Sequence, residues 1–189
     1  EHDASSPANT EITMTAASLP DTGNTGPGTG SVEISSVIEA FPIPFAQVFT
    51  AGTTGDLDAV DLTVAWHRGP NATAPLPLDV SIFGVDEDDI PTSTVLGHGS
   101  LDVSAGAEAT RFNAHIVLGQ TAPVTAGTRY AIVVGATPQP ASSNGSWRVD
   151  VTADVPADPF LFEPGSAPWS PVPDRDLRFQ TWVVSSLSG

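Results

Sequence analysis

The sequence predicts an all-β domain of the β-sandwich or jelly-roll kind, carrying an extension strand at its N-terminal side. Three observations lead there. Short apolar runs of period two recur along the chain. Gly, Pro or Asn turn chemistry bounds each run. The 189 residues include 18 prolines, which argue against long helices, and no helical segment separates the runs as a parallel βαβ sheet requires.

The elements follow in chain order. Glu11–Ala16 alternates, with Ile12, Met14 and Ala16 on one face, and reads as a strand. Asp21 to Gly30 (DTGNTGPGTG) holds four Gly, three Thr and one Pro and reads as a linker. Residues 1–30 are therefore expected to form an arm with a Gly/Thr-rich linker, and residues 31–189 the sandwich. Residues 31–41 fit a helical stripe (Ile34, Val37, Ile38, Phe41) or a strand, and their β-branched content favours the strand.

Ala46–Ala51 is a short strand before the turn Gly52 to Gly55. Leu57–His67 sends Val60, Leu62, Val64 and Trp66 one way and Asp61, Thr63, Ala65 and His67 the other. Leu78, Val80 and Ile82 repeat the pattern, and Leu96–Val103 reads as the next strand. Further stripes are Phe112, Ala114, Ile116 and Leu118; Tyr130, Ile132 and Val134; Trp147, Val149 and Val151; and Leu177, Phe179, Thr181 and Val183. The expected core is Val60, Leu62, Val64, Val80, Ile82, Phe112, Ile116, Ile132, Val134 and Phe179. Trp66 and Trp147 share stripes with Val and are expected in it.

Charge narrows the function classes. The chain carries 22 acids against 6 basic residues, all Arg, for a net charge of −16. Such a surface repels phosphate backbones, so nucleic acid is excluded as a partner. There is no cysteine, hence no disulfide and no thiolate metal site. No apolar run is long enough for a membrane span. Glu1-His2-Asp3-Ala4 resembles a mature terminus after signal removal, so a secreted or cell-surface location is expected.

Several segments resemble a known family. Gln47 to Gly52 (QVFTAG) followed by Leu57, Val60 and Leu62 resembles its opening strands. Asp79 to Phe83, then Ile90 to Leu96 (IPTSTVL), resembles a strand and its following turn. Pro123 to Val133 (PVTAGTRYAIV) is similar to another strand pair, and Asp176 to Val183 (DLRFQTWV) to the closing strand. Together these resemble the choice-of-anchor β-sandwich domains of secreted and surface prokaryotic proteins. The resemblance covers roughly residues 45–184 and implies an exported, non-catalytic domain. Trp182 stands where the family has Tyr, and Asp86 to Asp89 replaces a more neutral loop.

Candidate chemistry is sparse. His2, His67, His98 and His115 show no metal-ligand spacing, and no nucleophile elbow is present, so no enzyme is expected. Asp86, Asp88 and Asp89 in one loop, and Asp56, Asp58 and Asp61 in a second cluster, are the candidate ligands for Ca²⁺. Neither cluster matches an EF-hand, and the alternative is a solvated acidic surface with no cofactor. Trp169, in a Pro-rich loop with Phe162, is the candidate platform for a polysaccharide, or else a cap on the sandwich. Trp182 is out of phase with Phe179 and Val183, which puts an aromatic on the outer face of its strand. Leu19 to Gly23 (LPDTG) matches a sortase pattern but lacks the apolar span and basic residues that such sorting needs.

Three function classes result, the last and weakest an enzyme of unrecognised type. The first is a structural or adhesive surface protein, a filament subunit assembling by strand donation through Ile12, Met14 and Ala16. The second is a carbohydrate-binding module of a secreted polysaccharide-active protein.

Overall fold

The computed structural model describes residues 17–24, 30–35, 44–68, 77–102, 109–136, 145–152, 158–163, 168–173 and 175–185. All described regular structure is β, and every strand pairing is antiparallel. The strands are β1 (Ser18–Asn24), β2 (Gly30–Ser35), β3 (Phe45–Thr50), β4 (Gly55–Arg68), β5 (Leu78–Val85), β6 (Pro91–Leu101) and β7 (Ala109–Val124). They continue with β8 (Arg129–Ala136), β9 (Gly145–Thr152), β10 (Phe160–Phe162), β11 (Ser170–Pro171), β12 (Asp176–Leu177) and β13 (Phe179–Ser185).

The sheet runs β1-β13-β4-β7-β6-β5-β8-β3-β10-β11, with β9 beside the far end of β4 and flanked by β2 and β12. It curls on itself into two facing layers, a β-sandwich-like half-barrel. One layer holds β1, β13, β4, β7, β9, β2 and β12. The other holds β6, β5, β8, β3, β10 and β11. They join where β7 passes from β4 to β6, through the pair His98↔Gln120. The approach there is close. A Cβ on Gly99 would lie 2.5 Å from the Val117 carbonyl oxygen, so any side chain here would force the two strands to shift.

The period-two stripes meet between the layers. Val60, Leu62, Val64, Val80, Ile82, Ile116, Ile132, Val134 and Phe179 are all buried in one core, with Trp66 and Trp147 packed at 5.3 Å between ring centroids. Phe112 packs against that core but is only partly buried, opposite Val64 near the start of β7. On the open side, two polar ties bind the layers. Buried Gln47 of β3 accepts the Leu177 N–H at 2.7 Å, and the Asp21 carboxylate accepts the Gly52 N–H at 3.1 Å.

The linker reading needs correction at its start. Asp21–Asn24 belongs to β1, which pairs with β13. Side chains make this possible where the register shifts between Pro20 and Gly23. The buried Thr181 hydroxyl donates to the Thr22 carbonyl at 2.9 Å and accepts the Thr22 N–H at 3.1 Å. The strand reading within 31–41 holds for Gly30–Ser35, which pairs with β9. Ile12, Met14 and Ala16 lie outside the described residues.

Candidate functional site

The outer face of the β13-β4-β7 layer carries a groove of ≈ 340 Å³. Strand register builds it. Trp182, Ala59 and Val117 stand in one row across the three strands, and Gln180, Asp61 and His115 in the next. Thr63 and Asn113 form a third row beside Arg178, where β13 gives way to β12. Pro20 of β1 lines the rim beside Trp182. Period-two alternation explains why these residues face outward: their neighbours Leu62, Val64, Ile116 and Phe179 fill the core on the other face.

Asp61 organises the groove. One carboxylate oxygen lies 2.6 Å from His115 Nδ1, and the other accepts the Trp182 indole N–H at 2.8 Å. The two rings meet edge-on, 5.7 Å apart at 80°. The indole is thereby pinned in place on the sheet. The Thr63 hydroxyl donates to Asn113 Oδ1 at 2.8 Å, which leaves the Asn113 amide nitrogen as a donor. The Gln180 amide nitrogen donates to the carbonyls of Thr22 and Thr181, which leaves its oxygen as an acceptor. Val117, 62% exposed, extends the apolar row towards β6. A ligand here meets one aromatic, an apolar strip and a set of oriented polar groups, the usual make-up of a small-molecule cleft.

The other residues singled out from sequence lie elsewhere. Trp169 is half-buried and packs against the satellite cluster of Ala46, Val48, Ala131 and Leu161 on the outer face of β3 and β8. Phe162 ends β10, paired with Phe45 and Ser170. Asp86 and Asp89 have protein partners. Asp86 accepts the amides of Asp88 and Ile90 at 3.0 and 2.9 Å, and Asp89 pairs with Arg129 at 2.6 Å. Asp89 has a positive φ of 64°, which Asp tolerates in such a turn. Asp88 and Asp56 are exposed. Asp58 accepts the Ser18 hydroxyl at 2.6 Å, at the bulge that separates it from Asp61. Among the described residues, no group of three or more His, Cys, Asp or Glu is placed to hold a metal ion. Among them, too, no helix is long and apolar enough to cross a membrane.

The sequence marks Asp61 as a candidate Ca²⁺ ligand and Trp182 as an outer-face aromatic, and the stripe Ala114–Ile116 turns His115 outward, but nothing in it joins the three. Arg178, Asn113, Thr63 and Gln180 were not singled out. Outward phase was their available signal; the register that lines them up comes from the sheet. No family model matches the chain, and no curated protein matches it.

Proposed function

We propose that this chain is a non-catalytic, surface-exposed adhesive domain that holds a carbohydrate in the groove on the outer face of β13, β4 and β7. The carrying observation is the pinned indole of Trp182 beside oriented amide groups. The negative face of an aromatic ring attracts the partly positive C–H groups of a pyranose, and amides of fixed direction read its hydroxyls. The groove is at the small end of ligand clefts, which start near about 300 Å³, and suits one or two sugar rings better than a long chain.

The same geometry speaks against turnover. Glycoside hydrolysis uses two carboxylates flanking the bond, and Asp61 is the sole acid among the groove's described lining residues. Both of its oxygens are engaged, and the Thr63 hydroxyl hydrogen goes to Asn113. These contacts hold side chains in position. Secretion, which the resemblance implies, agrees with such a role. Affinity electrophoresis through polysaccharide gels tests the proposal. Trp182→Ala, on the solvent side of its strand, is expected to lose retention while keeping the wild-type circular dichroism spectrum. Retention equal to wild type would reject the groove as the site.

A further inference from the structure

We infer that the sugar taken by this groove is a uronic acid, its carboxylate held by Arg178. The inference rests on the carbohydrate reading above and adds the ligand's charge.

Acids outnumber basic residues 22 to 6, so an arginine has carboxylates to spare. Arg111 is paired with Asp150, and Arg129 with both Asp89 and Asp158. Among the described residues, Arg178 and the exposed Arg175 have no such pair, and of these two it is Arg178 that lines the groove. Its backbone N–H donates to the Asp150 carbonyl at 3.0 Å, but among the described residues no acid pairs with its guanidinium. The side chain is partly buried and lines the groove. Two acids near it have partners of their own: Asp150 is paired with Arg111, and Asp61 is engaged by His115 and Trp182. A guanidinium without a counter-charge in a ligand groove is open to a carboxylate brought in by a ligand, which it can hold through two parallel N–H···O bonds.

Placement fits a uronate in particular. Arg178 and Trp182 lie on the same side of the same chain segment, four residues apart, and line one cavity. Positions four apart in an extended chain lie roughly 13 Å apart, so with one ring stacked on Trp182 the carboxylate offered to Arg178 is that of a neighbouring uronate unit. Asn113, across Thr63 from Arg178 in the same lining, offers a further N–H donor. The distribution of charge agrees as well. Residues 96–189, which supply β7 and β13, hold five of the six Arg and a net charge of only −3. Asp61 shares the groove, and its carboxylate is turned to His115 and Trp182; repulsion from acids beyond roughly 8 Å is screened at ordinary ionic strength, whereas direct contact with Arg178 is not.

The test is affinity electrophoresis at about 0.15 M salt, in gels containing polygalacturonate, alginate, carboxyl-reduced polygalacturonate or neutral galactan. Wild type, Arg178→Gln, Arg178→Lys and Trp182→Ala are compared, each checked for an unchanged melting temperature. Wild type should be retained by polygalacturonate or alginate and released when the carboxyls are reduced. Arg178→Gln should lose roughly tenfold or more in apparent affinity, with Arg178→Lys in between, since it keeps the charge and loses the fork. Retention by neutral and acidic polymers alike, untouched by Arg178→Gln but lost in Trp182→Ala, overturns the uronate inference and leaves the carbohydrate reading standing. Absence of retention on every polymer, or retention indifferent to Trp182→Ala, overturns both.

Discussion

Replacing Gln47 by Met tests how the two layers are held together. Gln47 is 1% exposed and sits in the middle of β3. Its side-chain oxygen accepts the Leu177 N–H at 2.7 Å, and its nitrogen donates to the Val48 carbonyl at 2.9 Å. Leu177 is itself 1% exposed, so its N–H has no water to turn to. Met has nearly the same shape, so little cavity forms and the packing term stays small. What remains is a buried backbone donor without an acceptor, which costs about 1–3 kcal/mol. In a chain of this size each kcal/mol moves the melting temperature by roughly 2–4 °C, so the expected drop is about 2–12 °C. Denaturant titration should show a lower midpoint with an unchanged slope, the mark of lost stability without a changed unfolded state. A midpoint and melting temperature equal to wild type would refute the claim that this bond ties the open side of the sandwich.

Other substitutions probe separate parts of the frame. Phe179→Ala, which empties a buried site next to Phe49, should destabilise by about 3–5 kcal/mol in chemical denaturation. Gly127 turns the chain between β7 and β8 at φ 78° with open space around its Cβ position, so Gly127→Ala should cost about 1 kcal/mol from backbone strain alone. Gly99→Ala should cost more, about 1–3 kcal/mol, because its methyl group meets the Val117 carbonyl. Arg129→Met removes the partly exposed bridge to Asp89 and Asp158; a loss of about 1 kcal/mol or less is expected, shrinking in high salt.

Much of the fold was legible because burial on one face leaves a period-two trace. The stripes through Val60–Trp66, Val80–Ile82, Ile132–Val134 and Trp147–Val151 mark strands that the structure contains. The apolar pattern of Leu96–Val103 starts later than the strand, since β6 begins at Pro91 with the exposed residues Thr92 to Val95, which carry no apolar alternation. β1 was illegible for a different reason. Its sequence SLPDTGN has linker composition, and it is a strand because β13 offers an edge and the Thr181 hydroxyl bridges its irregular register. β3 is apolar on both faces but for Gln47, because both faces are covered, one by the core and one by the cluster that takes in Trp169. Of the groove, the parts were legible and the assembly was not. Outward phase identifies Asp61, His115 and Trp182 one strand at a time. Their contact depends on the register of Asp61 against both Gln180 and His115, set by bulges that no single strand encodes.

The central claim is that ligand binds on the sheet face at Trp182. The four tryptophans allow a direct measurement, since each indole N–H gives one resolved signal in a proton–nitrogen correlation spectrum. The signals are assigned by replacing each tryptophan in turn with Phe, and the protein is titrated with short oligogalacturonides. The Trp182 indole and the Asn113 side-chain amide should shift together and saturate, while Trp66, Trp147 and Trp169 stay still. Shifts centred on Trp169, or a spectrum unchanged at Trp182 while the sugar binds, would contradict that claim.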